Sequence, residues 1–120
     1  MGEIKTYRDL LVWQNAMSLV TAVYRITEGF PATEKFGLTS QIQRCAVSIP
    51  SNIAEGYGRR STGDYLRFLQ ISMGSVFELQ TQLEIARNLD YLTQARFEER
   101  YGQSREVERM LSSLISKLKP

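Results

Sequence analysis

Three arginines and two tyrosines near the middle of the chain are the residues best equipped for chemistry. Arg59 and Arg60 follow Gly58, Arg67 lies seven residues further on, and Tyr57 and Tyr65 are interleaved with them. Guanidinium groups neutralise phosphates and aromatic faces stack on bases, a combination that single-stranded RNA sites use. A plainer reading makes the tyrosines core or interface residues, with the arginines solvated or paired with Asp64 and Glu55. For an isolated chain this plainer reading is preferred.

A second polar constellation precedes the cluster. Gln41, Arg44, Ser48, Asn52, Glu55 and Arg59 recur at three- and four-residue intervals, one residue out of phase with Ile42, Ala46, Ile49 and Ile53. Neighbouring residues on a helix differ by about 100°, so the polar stripe lies beside the core face. Pro50, in mid-run, lacks the N–H that would bond the Ala46 carbonyl, and its ring favours a kink. Ser48, Asn52 or an arginine from another helix or subunit is expected to satisfy that oxygen. A structural or interface polar network is therefore favoured over a small-ligand site at the kink. Glu55 and Arg59, four apart, suit a surface pair worth only ~0.2–0.5 kcal/mol.

Much other chemistry is excluded by composition. The chain has no histidine, which removes the commonest general acid–base and the commonest metal ligand. One cysteine cannot build a thiolate zinc site, and Cys45, near Ile42 and Ile49, reads as a small core residue. Gly56-Tyr57-Gly58 resembles part of a phosphate loop, but it ends a helix and no Gly-Lys-Ser or Gly-Lys-Thr occurs. Glu55, Glu78 and Glu84 suit salt bridges better than acid catalysis. No enzyme, no cofactor and no metal are expected.

With 120 residues, 42% of them hydrophobic and 23% charged, the chain suits one domain spanning residues 1–120. A net charge of +2 permits a nucleic-acid partner without arguing for one. No run approaches the roughly 20 apolar residues of a membrane span. The stretch after Met1 is charged, unlike a signal peptide, so no membrane contact and a cytoplasmic location are expected.

Four amphipathic helices must position these groups. Thr6 and Asp9 make a capping-box-like start for the first, whose seam reads Leu10, Trp13, Met17, Val20, Tyr24 and Thr27. Gly29 and Pro31 end it, and a connector with one helical turn follows. Thr39 or Ser40 would cap the second helix, Ser61 with Asp64 the third, and Thr93 the fourth. Leu69, Val76 and Leu83 mark the third helix, and Val107, Leu111 and Leu114 the fourth. Gly102 weakens the fourth helix's first half. Strand alternation is missing, so the fold class is all-α: an antiparallel up-down-up-down four-helix bundle. The fourth helix sets Arg96, Arg100, Arg105 and Arg109 against Glu98, Glu99, Glu106 and Glu108, a solvated face or a partner-specifying one. Tyr7, Trp13 and Phe36, if exposed together, would form a hydrophobic contact patch.

Leu38 to Ile42, the block Ser48-Ile49-Pro50-Ser51-Asn52-Ile53-Ala54-Glu55-Gly56 and Arg59 resemble the signature of the 23S rRNA-intervening sequence proteins. Asp9-Leu10, Trp13-Gln14, Tyr24, Phe30-Pro31, Glu34, Phe68-Leu69, Gly74-Ser75 and Glu78-Leu79 extend the match over roughly two-thirds of the chain. The resemblance implies a small bacterial cytosolic protein with relatives encoded inside insertions in large ribosomal RNA and elsewhere. It implies a four-helix bundle forming a homo-oligomer, with a pentamer the leading form. A similar bundle assists diversity-generating retroelements, as a basic pentamer working with nucleic acid and a reverse transcriptase. The family name records where some genes sit and assigns no activity. In such a ring, five copies of the arginine cluster would focus a positive field that net charge per chain conceals. The expected function is thus non-enzymatic RNA binding by Arg59, Arg60 and Arg67, with Tyr57 or Tyr65 for stacking. The alternative is an oligomeric scaffold for another protein, such as a nucleic-acid enzyme.

Overall fold

Helix order follows from four apolar stripes separated by turn residues. The computed structural model describes residues 2–120; Met1, at the head of the charged N-terminal stretch, lies outside them. Helix α1 spans Leu11–Thr27, α2 Leu38–Tyr57, α3 Thr62–Asn88 and α4 Gln94–Leu118. Among the described residues there is no strand, and no helix is long and apolar enough to cross a membrane. Gln43 Nε2, early in α2, donates to Thr27 Oγ1 at the end of α1 (2.9 Å). Gly56, late in α2, abuts Phe68, early in α3. The Arg87 guanidinium, late in α3, lies 4.7 Å from the ring centroid of Phe97, early in α4. Asn15, early in α1, reaches Met110, late in α4. Successive helices therefore run antiparallel, and α4 closes against α1. Leu19, Ile42, Ile49, Ile53, Leu69, Leu79, Leu83 and Leu111 are fully buried between them.

Local signals held where they act through neighbouring backbone. Ser61 Oγ accepts from the Asp64 N–H and Thr93 Oγ1 from the Arg96 N–H, as capping requires. The connector carries its single turn, a 3-10 turn at Ala32–Glu34. Asp90 ends the α3 region with φ 63°, a left-handed conformation aspartate tolerates. Gly102 sits inside α4 without interrupting it. Cys45 is buried, donates to the Ser75 carbonyl at 3.1 Å, and burial pushes its thiol up to about 12, with the Glu78 charge adding. It is an inert core residue.

Four expectations need correction. Thr6 and Asp9 do form a capping box, but around a separate 3-10 turn at Tyr7–Asp9, and α1 starts after it. The buried stripe of α1 is Val12, Ala16, Leu19, Val23 and Thr27, while Met17 and Tyr24 are 41% and 43% exposed. The expected seam holds at Thr27 and in part at Leu10, Trp13 and Val20, which pack against the core, but the fully buried line is turned toward Val12, Ala16, Leu19 and Val23, a choice that the broad apolar arc of α1 leaves open. Thr39 and Ser40 lie inside α2, and Thr39 Oγ1 is buried without a partner. Tyr7 and Trp13 pack edge to face with centroids 5.1 Å apart, whereas Phe36, 89% exposed, precedes α2 at the opposite end of the bundle. No joint patch of these three exists.

The N-terminus of α2 is instead held by Glu34. Its Oε1 accepts from the Leu38 N–H at 3.0 Å and its Oε2 from the Tyr91 hydroxyl at 2.8 Å. Gly37 leaves room for this, since a Cβ there would meet Glu34 Oε1 at 2.6 Å. The Leu38 N–H and then the Tyr91 hydroxyl hold the carboxyl below its ordinary 4.5. A lowered carboxylate contributes stability that is complete above the ordinary value and lost as pH falls through the folded one. Melting temperature should therefore fall on acidification below about pH 4.5, and Glu34→Gln should reduce that fall. An identical acid limb in the variant would assign it to other carboxylates.

Candidate nucleic-acid interface

The turn between α2 and α3 is short because its residues cap both helices. Arg59 N–H bonds the Gly56 carbonyl at 3.0 Å, and Ser61 supplies the N-cap of α3. Gly56 is buried where the two helices meet. A Cβ on it would lie 2.7 Å from Phe68 Cβ, 3.2 Å from Tyr65 Cδ1 and 3.3 Å from the Tyr65 carbonyl oxygen. Gly58 has no such constraint; its Cβ would meet only the Glu55 carbonyl oxygen at 3.6 Å.

This turn brings two of the three arginines of the cluster to one ring. The Arg59 guanidinium carbon is 4.6 Å from the Phe68 centroid and that of Arg67 is 5.0 Å from the same centroid. Arg59 Nη2 pairs with Glu55 Oε1 at 3.2 Å, and Arg67 Nε stands 4.0 Å from Asp64 Oδ1. Both pairs are exposed, so each contributes at most about 1 kcal/mol. Arg60 is exposed, with no carboxylate within 4.0 Å among the described residues. Three guanidiniums against two carboxylates leave one net positive charge per chain at this turn. Tyr57 and Tyr65 are half-buried and lie edge to face, centroids 6.1 Å apart at 85°. Burial and then the neighbouring Tyr57 raise the Tyr65 hydroxyl above its ordinary pKa. Phe68 is the organising residue that sequence reasoning overlooked. Its adjacency to Arg67 was visible, but its contact with Arg59 depends on how α2 meets α3.

The polar stripe of α2 faces α3 and divides into three parts. Gln41 and Arg44, both exposed, line a groove of about 340 Å³ with Cys45, Ser48 and Glu78. Ser48 and Ser75 hydroxyls are 2.7 Å apart, and Ser48 also reaches the Cys45 carbonyl at 2.7 Å. Asn52 Nδ2 donates to the Ser48 carbonyl at 2.8 Å. Glu55 and Arg59 form the exposed pair already described. Ser48 and Asn52 thus serve the carbonyls of Cys45 and Ser48, not that of Ala46 as expected. From α3, the buried Ser72 hydroxyl donates to the Ile49 carbonyl at 2.9 Å, beside the imide nitrogen of Pro50. Helix α2 runs unbroken through the buried proline.

Comparison with known proteins gives a consistent picture. A family model described as 23S rRNA-intervening sequence protein matches residues 8–113. Among solved structures, the chain is similar to a protein with unknown function from the S23 ribosomal protein family of Bacteroides thetaiotaomicron. The TM-score is 0.82 at 23% identity, covering 88% of this chain and 96% of that one. No curated protein matches the chain.

Proposed function

The chain belongs to the 23S rRNA-intervening sequence protein family, and on that premise we propose that it is a cytoplasmic, non-enzymatic protein that self-associates and binds RNA. The observation that carries this reading is the pair of guanidiniums, Arg59 and Arg67, over the Phe68 ring. A guanidinium carries five N–H donors, so one held over a ring keeps donors for phosphate oxygens beyond those turned to the exposed Glu55 and Asp64 carboxylates. Side chains positioned in advance lose less entropy on binding. Arg60 adds a charge with no carboxylate within 4.0 Å among the described residues, and Tyr57 and Tyr65 offer half-buried rings at the same turn. Self-association is supported by apolar residues on the outer face of α3, where Ile71, Phe77 and Ile85 are 44%, 49% and 42% exposed. A ring of five would repeat the arginine turn five times and concentrate its field.

The test is a salt titration of the purified, nuclease-treated assembly against a labelled mixed-sequence RNA. Neutralising roughly 4–6 phosphates per assembly predicts a log–log salt slope of about −3 to −4. Replacing Arg59, Arg60 and Arg67 with glutamine should abolish that slope while leaving helicity unchanged. No binding at low salt would discard the RNA reading. The exposed α3 face would then favour the scaffold alternative, checked by recovery of a protein partner that survives nuclease treatment.

A further inference from the structure

A second basic site lies between α1 and α4, at the end of the bundle opposite the arginine turn. Helix α1 contributes Ser18, Thr21 and Arg25 from one stripe, and α4 contributes Arg96 and Arg100, one turn apart. Ala22 and Ile26 complete the wall of a groove of about 600 Å³, which no carboxylate lines.

The three arginines of the groove have one carboxylate between them. Arg25 and Arg96 have no carboxylate within 4.0 Å among the described residues. The Arg100 side chain is only 18% exposed, and its single ion pair runs from Nη2 to the adjacent Glu99 at 2.8 Å. Its Nε–H is buried with no acceptor, a costly arrangement for a charged donor. Arg96 also sits in the first turn of α4, where the helix dipole favours negative charge and no acidic residue is present. Nearby carboxylates do not answer this excess. Glu98 accepts from Gln94 at 3.1 Å, and neither it nor Glu99 lines the groove.

We propose that the α1–α4 groove binds a phosphate monoester, with Arg100 as its anchor and Arg25 and Arg96 closing over it. Guanidinium forks match the oxygens of a tetrahedral dianion, whereas a single carboxylate would leave two of the three charges uncompensated. The Ser18 hydroxyl, which donates to no acceptor among the described residues, can donate as well; that of Thr21 is already given to the Met17 carbonyl at 3.2 Å. The volume exceeds that of one phosphate and lies within the usual range for small-molecule sites, with an apolar wall for an attached group. The monoester has two sources, a free nucleotide or the 5′-terminal phosphate of an RNA. The site stands independently of RNA binding at the α2–α3 turn.

Calorimetry of the intact protein in phosphate-free, low-salt buffer tests this, with inorganic phosphate, adenosine monophosphate, and 5′-phosphorylated and 5′-hydroxyl decanucleotides as probes. Saturable binding of the first two is expected in the wild type and in R59Q/R60Q/R67Q alike. R25Q/R96Q, both at exposed positions, should weaken it roughly tenfold or more. A decanucleotide preference for the 5′-phosphate that disappears in R25Q/R96Q would identify an RNA end as the source; with no such preference, the source is the free nucleotide. Absence of saturable phosphate binding, or binding unaffected by R25Q/R96Q, would overturn the proposal.

Discussion

Replacing Gly56 with alanine should lower unfolding free energy by about 1–3 kcal/mol, the usual cost of overpacking a tight contact. The added Cβ would stand 2.7 Å from Phe68 Cβ, an atom fixed to the α3 backbone and unable to swing aside. Relief requires α2 and α3 to part at the place where Arg59 reaches over Phe68. The same change should therefore disturb the arginine cluster as well as stability. Gly58→Ala is the matched control. Its Cβ makes only an ordinary contact, and loss of glycine's freedom in the unfolded chain favours the fold by about 0.4–1 kcal/mol where the conformation permits. Urea titration of both variants checks the pair. Equal behaviour of the two glycines would mean that the helices are not in contact at Gly56.

Leu19→Ala should cost more, about 2–5 kcal/mol, because Leu19 is fully buried and the hole left behind is lined by side chains of the other helices. Met17→Ala, two residues earlier, should cost less than about 0.5 kcal/mol in the monomer, as surface substitutions usually do. Met17 borders an open groove with Trp13, Val20 and Val47 between α1 and α2. Chemical denaturation at low and at high protein concentration separates the two. A Met17→Ala loss as large as that of Leu19→Ala would restore the seam expected from sequence and refute the observed rotation of α1. A Met17→Ala loss that appears only at high concentration would place that groove within the self-association interface.

Much of the fold was legible because it is encoded locally. Ser61 and Thr93 cap helices through bonds to residues three positions away, and the alternation of 3 and 4 in Ile42, Ala46, Ile49 and Ile53 identifies a buried stripe from a single helix. The phase of α1 was harder to read. Large side chains at Trp13, Met17 and Tyr24 outweighed small Ala16, although it is the small residue that allows close packing. Glu34 was equally opaque as a cap, since its role depends on Gly37 making room and on Tyr91 arriving from the α3–α4 connection.

The candidate sites divide in the same way. Sequence alone determined that the protein is four antiparallel amphipathic helices with a basic, aromatic-flanked turn between the second and third, because capping, periodicity and residue spacing act over one or two helical turns. Only the tertiary structure decided that Arg59 and Arg67 share the Phe68 ring, that Gly56 and not Gly58 is constrained, and that Arg25 meets Arg96 and Arg100 across a groove. Those relations join residues of different helices. They are set by how the helices rotate about their axes to bury the core, a choice that a broad apolar arc leaves open until all four pack together.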